Sequence, residues 1–348
     1  MKRNPALFAL LVTCLILFSC KKSDTDNPVN PSGSADIYVA GYESAGALYI
    51  AKYWKNGTAV SLTDGSHIAT AEDIFVTDNN DVYVAGTEAN NSGIDIGKYW
   101  KNGVAVNLTN GVGRGAAHSI LVSNGDVYVA GYERNAAGFD VAKYWKNGVA
   151  VSLTDGTKSA EAYDIFISGP DIYVCGNEYN GTVDVAKYWK NGTAVTLGNG
   201  TAETDASRIV VSGNDVYVCG TKYVSEYSAV YWKNGTAYDL SNGIDKAQAL
   251  GIAISGSDVY AAGYDNTNPV SNNARAVYWK NGSPVYVSLT TEDASAYDIV
   301  VSGNDVIVAG NKYSPGSGYG TATYWKNGVA TSLTSGNTDA EIFAVFVK

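Results

Sequence analysis

The sequence predicts an all-β fold, a seven-bladed β-propeller with four antiparallel strands in each blade. Two repeated motifs indicate this. Tyr-Trp, always followed by Lys-Asn-Gly, begins at residues 53, 99, 144, 188, 231, 278 and 324. Asp-Ile/Val-Tyr-Val-Ala-Gly, or a close variant, begins at Asp36, Asp81, Asp126, Asp171, Asp215, Asp258 and Asp305. A unit of about 45 residues has the length of a propeller blade.

Four short strands can be assigned within one repeat. In the second repeat they are 73–76, 82–85, 97–100 and 104–108, and they are rich in β-branched and aromatic residues. Turns fall at Asn79-Asn80 and at Asn102-Gly103. Asn-Gly supplies the two positive φ angles of a type I′ turn, which matches the twist of a tight hairpin. Several strands are apolar at consecutive positions, as expected where neighbouring blades cover both faces of a sheet.

The two ends of the repeat region predict how the ring closes. The region begins at Asp36, in a second strand, and ends at residues 344–347, which align with a first strand. Seven complete blades therefore require the C-terminal strand to pair beside residues 37–39 and to complete the first blade. This pairing would remove two exposed sheet edges. We assign residues 36–348 to the propeller.

The first residues have the layout of a secretion signal. Lys2 and Arg3 precede an apolar stretch over residues 6–18, which is too short to span a bilayer comfortably. Residues 17–20, Leu-Phe-Ser-Cys, resemble the lipobox of bacterial lipoproteins, which implies cleavage after residue 19 and lipid on Cys20. The alternative is an ordinary signal peptide cut near an unrelated cysteine. We predict a signal peptide over residues 1–19 and a flexible polar tether over residues 20–35.

Composition limits the possible partners. The chain is 45% hydrophobic and 17% charged, which is typical of a globular protein, and its net charge is −10. This charge argues against nucleic acid or anionic lipid as the main ligand and favours a neutral or cationic one. Cys175 and Cys219 replace the same alanine in consecutive repeats, so we expect them to be small buried side chains that are too far apart for a disulfide.

The repeats resemble known bacterial sequences over short motifs. Residues 79–86, Asn-Asn-Asp-Val-Tyr-Val-Ala-Gly, resemble extracellular propeller repeats of the SBBP type. Trp-Lys-Asn-Gly-x-Ala-Val-x-Leu is similar to HAF-type extracellular repeats. The charged and proline-containing segment after Cys20 resembles lipoproteins of Bacteroidetes-like bacteria, and Lys21 favours the outer membrane by resemblance to lipoprotein sorting rules. These resemblances imply a fold and a lipid-anchored location in the cell envelope, facing the periplasm or the cell surface, but no activity.

The loops divide the ring into two faces. Turns between the first and second strands and between the third and fourth are nearly the same in every repeat, and we name their side the uniform face. Connections between the second and third strands and between blades differ in length and chemistry, and we name their side the variable face. Loops on a rigid scaffold often carry function, although neutral drift would also make them variable.

Polar and aromatic residues that enter the first strands should surround the channel mouth on the variable face. The candidate ligand-binding residues are Glu72, Asp73, His118, Tyr163, Asp164, Arg208, Tyr297 and Asp298. Such a mixture suits sugar recognition, in which carboxylates and arginine bind hydroxyl groups and aromatic rings stack on the sugar. The same residues could instead solvate a wet pore. A second ring of charged residues, from Glu43 to Lys312, follows the Val-Ala-Gly strands. We interpret it as a solvated structural position.

The sequence predicts no catalytic group, metal site or cofactor. Its histidines, His67 and His118, lack neighbours at metal-ligand spacing. We predict a noncatalytic, monomeric, envelope-anchored propeller that binds a glycan or an envelope protein through the variable face. One alternative is a polysaccharide lyase or a glycosidase at the channel mouth, using His118, Tyr163 and Arg208 or a pair of carboxylates. Another is a structural lipoprotein of an outer-membrane assembly.

Overall fold

The computed structural model describes residues 35–223, 225–243, 246–266, 273–314 and 318–348. The predicted signal peptide, Cys20 and nearly all of the tether lie outside these residues. The described chain consists of β-strands joined by turns and loops. In chain order the strands are β1 (Ile37–Ala45), β2 (Leu48–Lys55), β3 (Thr58–Ser61), β4 (Ala69–Val76), β5 (Val82–Ala89), β6 (Asp95–Lys101), β7 (Val104–Asn107), β8 (Gly115–Ser123), β9 (Asp126–Arg134), β10 (Asp140–Lys146), β11 (Val149–Ser152), β12 (Ala160–Ser168), β13 (Asp171–Tyr179), β14 (Asp184–Lys190), β15 (Thr193–Thr196), β16 (Thr204–Ser212), β17 (Asp215–Tyr223), β18 (Tyr227–Lys233), β19 (Thr236–Asp239), β20 (Ala247–Ser255), β21 (Asp258–Asp265), β22 (Arg275–Lys280), β23 (Ser283–Tyr286), β24 (Asp293–Ser302), β25 (Asp305–Tyr313), β26 (Gly320–Lys326), β27 (Val329–Ser332) and β28 (Ala340–Val347).

The strands form seven four-stranded antiparallel sheets, one for each repeat, so the predicted propeller is confirmed. The first strand of each blade contacts the first strand of the next blade all the way round the ring. In the first blade the strand order is β28-β1-β2-β3, and residue 345 lies opposite residue 39. The predicted closure by the C-terminal strand is therefore confirmed. The ammonium group of Lys348 also donates to the backbone oxygens of Thr77 and Asp78, which links the end of the closing strand β28 to the second blade.

The two repeated motifs meet at the uniform face of every blade. In the second blade, Asn102 accepts a hydrogen bond from the backbone N–H of Val82 and donates one to Asp81. Lys101 forms an ion pair with the same aspartate. The φ angles of Asn102 and Gly103 are +50° and +81°, so the predicted type I′ turn is confirmed. Lys-Asn-Gly is thus repeated because its Lys and Asn side chains tie the outer hairpin of a blade to the motif that begins with aspartate.

Apolar side chains between adjacent blades form the core. Each tryptophan is almost completely buried in such a layer; Trp54, for example, is 1% exposed. This location explains why one Tyr-Trp pair recurs in every blade. Cys175 and Cys219 are both buried and form no disulfide, as expected.

Candidate ligand-binding site at the channel mouth

A β-bulge interrupts the first strand of every blade near the variable face. In the second blade, Ala71 lies opposite Gly86 and Asp73 lies opposite Ala85, which leaves Glu72 as an extra residue. A bulge redirects the side chain of its extra residue. The seven bulge residues are Glu72, His118, Tyr163, Ser207, Leu250, Tyr297 and Phe343.

The glycine of the Val-Ala-Gly motif makes room for this bulge. A Cβ atom added to Gly86 would lie 2.0 Å from the backbone oxygen of Thr70, two residues before Glu72. The equivalent glycines of the other six blades would meet the equivalent oxygen at 1.8–2.1 Å. The repeated glycine therefore permits the bulges that place seven side chains at the channel mouth.

All seven bulge residues line one cavity of about 410 Å³. This volume lies within the roughly 300–1,000 Å³ typical of small-molecule sites. Aromatic side chains form two of its walls, on nearly opposite sides of the ring. The rings of His118 and Tyr163 lie 5.3 Å apart, and those of Tyr297 and Phe343 lie 5.5 Å apart in an edge-to-face arrangement. Polar groups line the cavity between the aromatic pairs, with Glu72 on one side. On the other side lie Asn177, Asp205, Ser207, Arg208, Thr221 and Gln248.

The structure brings five of the eight predicted site residues to this cavity. They are Glu72, His118, Tyr163, Arg208 and Tyr297. The other three, Asp73, Asp164 and Asp298, each lie one residue beyond a bulge and do not line it. The predicted site residues do not include five polar lining residues, namely Asn177, Asp205, Ser207, Thr221 and Gln248. Asp205 and Gln248 precede a bulge residue by two positions, and this spacing could have indicated them.

The three aspartates hold neighbouring blades together. Asp73 accepts hydrogen bonds from the backbone N–H groups of Ile74 and of Ile120, which belongs to the next blade. Asp164 accepts from the hydroxyl of Ser119 on one side and from the backbone N–H of Ile209 on the other. Both oxygens of each carboxylate are therefore engaged by the protein, which makes these groups poor candidates for a glycosidase acid or base.

Arg208 connects the cavity to these aspartates. Its guanidinium nitrogen Nη1 lies 3.5 Å from Asp164 and 3.8 Å from Asp73. Burial alone would lower the pKa of Arg208, but the charges of Asp73, Asp164 and Asp298 outweigh that effect and raise it. Arg208 therefore remains charged, and the carboxylates of Asp164 and Asp73 already neutralise its charge.

Burial shifts the pKa values of three side chains that line the cavity. It raises the pKa of Glu72, and it raises the pKa of Asp205 to about 6 with help from the nearby charges of Glu203 and Asp184. It lowers the pKa of His118 to about 4, assisted by the charge of Arg208. His118 is therefore neutral at pH 7 and forms part of an aromatic wall.

The second ring of charged residues forms ion pairs within the blades. Glu88 pairs with Lys98, and Glu133 pairs with Lys143. In the fifth blade the charges are exchanged, because Lys222 pairs with Asp239. These pairs join positions within one sheet, which agrees with a structural role for this ring.

Exposed large apolar side chains of the described ranges lie in two regions, the fourth strands and the variable face. Of the large apolar residues that are exposed in the described ranges, half lie on fourth strands. The others surround the variable face: Ile68, Val112, Phe139, Tyr179, Tyr223, Leu289 and Tyr319. Four of these are aromatic. These side chains form an exposed rim of the variable face, on which sugar rings or an apolar partner surface could pack.

Two further features are absent from the described ranges. No group of three or more histidine, cysteine or acidic side chains there is arranged to hold a metal ion. The same part of the chain contains no helical segment with the length and hydropathy that crossing a bilayer requires.

Comparison with known proteins supports the fold. No protein-family model matches the chain, and no curated protein matches it. Among solved structures, it is similar to the β-propeller domain of the trilobed protease from Pyrococcus furiosus, with a TM-score of 0.51 and 12% sequence identity over 88% of this chain and 96% of that one. That domain is described as having an open velcro topology. The chain is thus a seven-bladed β-propeller, in which β28 pairs with β1.

Proposed function

We propose that this protein is a noncatalytic binding propeller that recognises a glycan through its variable face. The observation that carries the proposal is the cavity into which all seven bulges direct a side chain. Two aromatic walls could stack on a sugar ring, while the amides of Asn177 and Gln248 and the carboxylate of Asp205 could bind its hydroxyl groups. The aromatic rim would extend contact to further sugar residues.

The same geometry disfavours a polysaccharide lyase. His118, Tyr163 and Arg208 do line one cavity, as that alternative requires. However, a lyase of acidic polysaccharides must neutralise a substrate carboxylate, and the guanidinium of Arg208 already faces Asp73 and Asp164. Glu72 and Asp205 would repel such a substrate further. A binding role uses the cavity without these conflicts.

A glycan-array screen of the purified protein tests this proposal. We expect one class of glycan to bind, and we expect the double variant Tyr163→Ala/Gln248→Ala to bind it at least about tenfold more weakly. Arg208 is less suitable for substitution because it neutralises two buried aspartates. Asp78→Asn, at an exposed turn of the uniform face, serves as the control. Absence of binding to any glycan, or equal binding by the double variant, would reject the cavity as a glycan site. Binding only to an envelope protein would favour a protein partner instead.

We further propose that the protein is anchored in the cell envelope, facing the periplasm or the cell surface, through lipid on Cys20. The support is the Leu-Phe-Ser-Cys motif after an apolar segment. Metabolic labelling with a palmitate analogue should mark the protein, and Cys20→Ala should abolish the label. Equal labelling of this variant would refute the anchor, whatever the outcome of the glycan screen.

A further inference from the structure

The cavity has an imbalance of charge. Glu72 and Asp205 are its lining carboxylates, and among the lining residues Arg208 is the sole lysine or arginine. The guanidinium of Arg208 lies within 4 Å of Asp73 and Asp164, which do not line the cavity. The charge of Arg208 is therefore paired with aspartates outside the cavity lining. The carboxylates of Glu72 and Asp205 border the space where a ligand would lie.

Neither lining carboxylate forms an ion pair with a cation in the described chain, and the charge of Arg208 offsets only part of the effect of burial on Glu72. Glu72 accepts one hydrogen bond, from the hydroxyl of Thr70 to Oε1 at 2.6 Å. Asp205 accepts one, from the amide of Asn177 to Oδ1 at 2.6 Å. Within the ranges that the structure describes, the other oxygen of each carboxylate has no hydrogen bond, and neither group forms an ion pair.

An unpaired, largely desolvated carboxylate is costly in the charged form. The raised pKa values of Glu72 and Asp205 reflect this cost. A cation in the cavity would reduce it, whereas a second anion would increase it. The aromatic walls add a further attraction, because a cation over the face of a tyrosine or phenylalanine ring is stabilised by the ring quadrupole.

Building on the proposed glycan-binding function, we propose that the ligand is a glycan carrying free, protonated amines, which Glu72 and Asp205 bind on different sides of the channel mouth. An amine would donate to the open oxygen of each carboxylate, which is an acceptor only. The aromatic pairs would contact the apolar faces of the sugar rings. A net charge of −10 on the chain would also favour the approach of a cationic glycan over an acidic one.

Three oligosaccharides of equal length separate the contributions of charge and sugar shape. We would titrate the protein calorimetrically at pH 6.5 with β-1,4-linked glucosamine, N-acetylglucosamine and glucose tetrasaccharides. The glucosamine oligomer should bind at least about tenfold more tightly than the glucose oligomer, a difference of about 1.4 kcal/mol. Raising the salt concentration from 50 to 500 mM should weaken the binding of glucosamine and leave that of glucose nearly unchanged.

Charge-neutral variants of similar shape identify the source of the preference. Glu72→Gln/Asp205→Asn should reduce the ratio of the glucosamine to the glucose association constant to nearly one, and Asp78→Asn should keep the parent ratio. Equal binding of all three oligomers by the parent would overturn the amine preference but leave the glycan-binding function standing. Absence of binding to all three by a protein that binds another glycan would also overturn it. An unchanged ratio in the double variant would show that these two carboxylates do not select the amine.

Discussion

The carboxylate of Asp298 accepts a hydrogen bond of 2.9 Å from the backbone N–H of Val345, which belongs to the neighbouring blade. Its other oxygen accepts one from the backbone N–H of Ile299, within its own blade. Asp298 therefore bridges the seventh blade to the strand that completes the first. Asp73 and Asp164 make the equivalent bridges between the second and third blades and between the fourth and fifth. Asp164 also accepts a hydrogen bond from Ser119 of the third blade, so three carboxylates beside the channel hold four of the seven blade junctions.

Substitution of Asp298 by alanine should destabilise the ring. Two backbone N–H groups would lose their acceptor, and each unsatisfied buried donor costs about 1–3 kcal/mol. Asp298→Asn retains one acceptor oxygen and should lose about half as much. Urea unfolding measures the free energy, with Asp78→Ala as an exposed control. If Asp298→Ala unfolds at the same urea concentration as the parent, the bridge makes no net contribution.

Sequence reasoning predicted the fold well because the repeats report interactions that every blade makes. Lys-Asn-Gly and the aspartate motif recur because Asn102, Asp81 and their equivalents form the same hydrogen bonds in all seven blades. The closure of the ring could also be predicted. The alignment of Val345 with Ile74 identifies the C-terminal segment as a first strand, and the first blade was the one that lacked such a strand.

The site was predicted only in part, because adjacent residues at the channel mouth have different roles. Glu72 occupies a bulge and lines the cavity, whereas Asp73, the next residue, bridges two blades. Strand alternation cannot separate the two, because a bulge shifts the pattern by one residue. Asn177 lies on a second strand and reaches the cavity from outside the first-strand ring, so no position in that ring could indicate it.

Loss of the C-terminal strand should open the ring. Deletion of residues 342–348 removes most of the pairing between β28 and β1 and exposes the adjacent apolar layer. We expect a large fall in thermal stability. A smaller change, Ile342→Ala, should cost about 2–5 kcal/mol because the side chain is completely buried.

A surface truncation provides the comparison for this seam. Val329→Ala shortens a side chain that is 70% exposed on a fourth strand, and it should leave the midpoint of unfolding unchanged. Calorimetric melting of the three variants separates the contributions. A deletion variant that melts at the temperature of the parent would show that closure by β28 is dispensable.

The glycine opposite each bulge should tolerate no side chain. In Gly176→Ala the new Cβ would lie 2.0 Å from the backbone oxygen of Glu161, so the bulge at Tyr163 would have to move. We expect a loss of about 1–3 kcal/mol and weaker ligand binding at the displaced wall. Cys175→Ala is the matched control, because other blades carry alanine at that position. Equal stability of the two variants in urea would contradict the role assigned to the glycine.

The pH dependence of stability should have two limbs of opposite sign. Burial raises the pKa of Asp205 and of Asp298 to about 6 in the folded protein, so the folded state binds protons more tightly than the unfolded chain. Acidification from pH 7.5 to 5 should therefore increase the stability contributed by these two carboxylates. His118 opposes part of this gain below about pH 6.5, because its pKa is lowered to about 4 and the unfolded chain binds that proton more tightly. On the uniform face the sign is reversed, because hydrogen bonds from Lys146 and Asn147 lower the pKa of Asp126 below 3.8. Stability gained from that aspartate and its equivalents should be lost as the pH falls below about 4.

We therefore expect a maximum near pH 5, with a melting temperature about 1–2 °C above that at pH 7.5, because His118 offsets part of the carboxylate gain. Calorimetry from pH 3 to 8 measures this profile. Asp205→Asn removes one of the groups with a raised pKa and keeps an acceptor for Asn177, so it should flatten the limb between pH 5 and 7.5 and leave the acid limb unchanged. Equal pH dependence of the parent and Asp205→Asn between pH 5 and 7.5 would show that burial does not destabilise the charged form of Asp205, and this part of the electrostatic basis for a cationic ligand would fail with it.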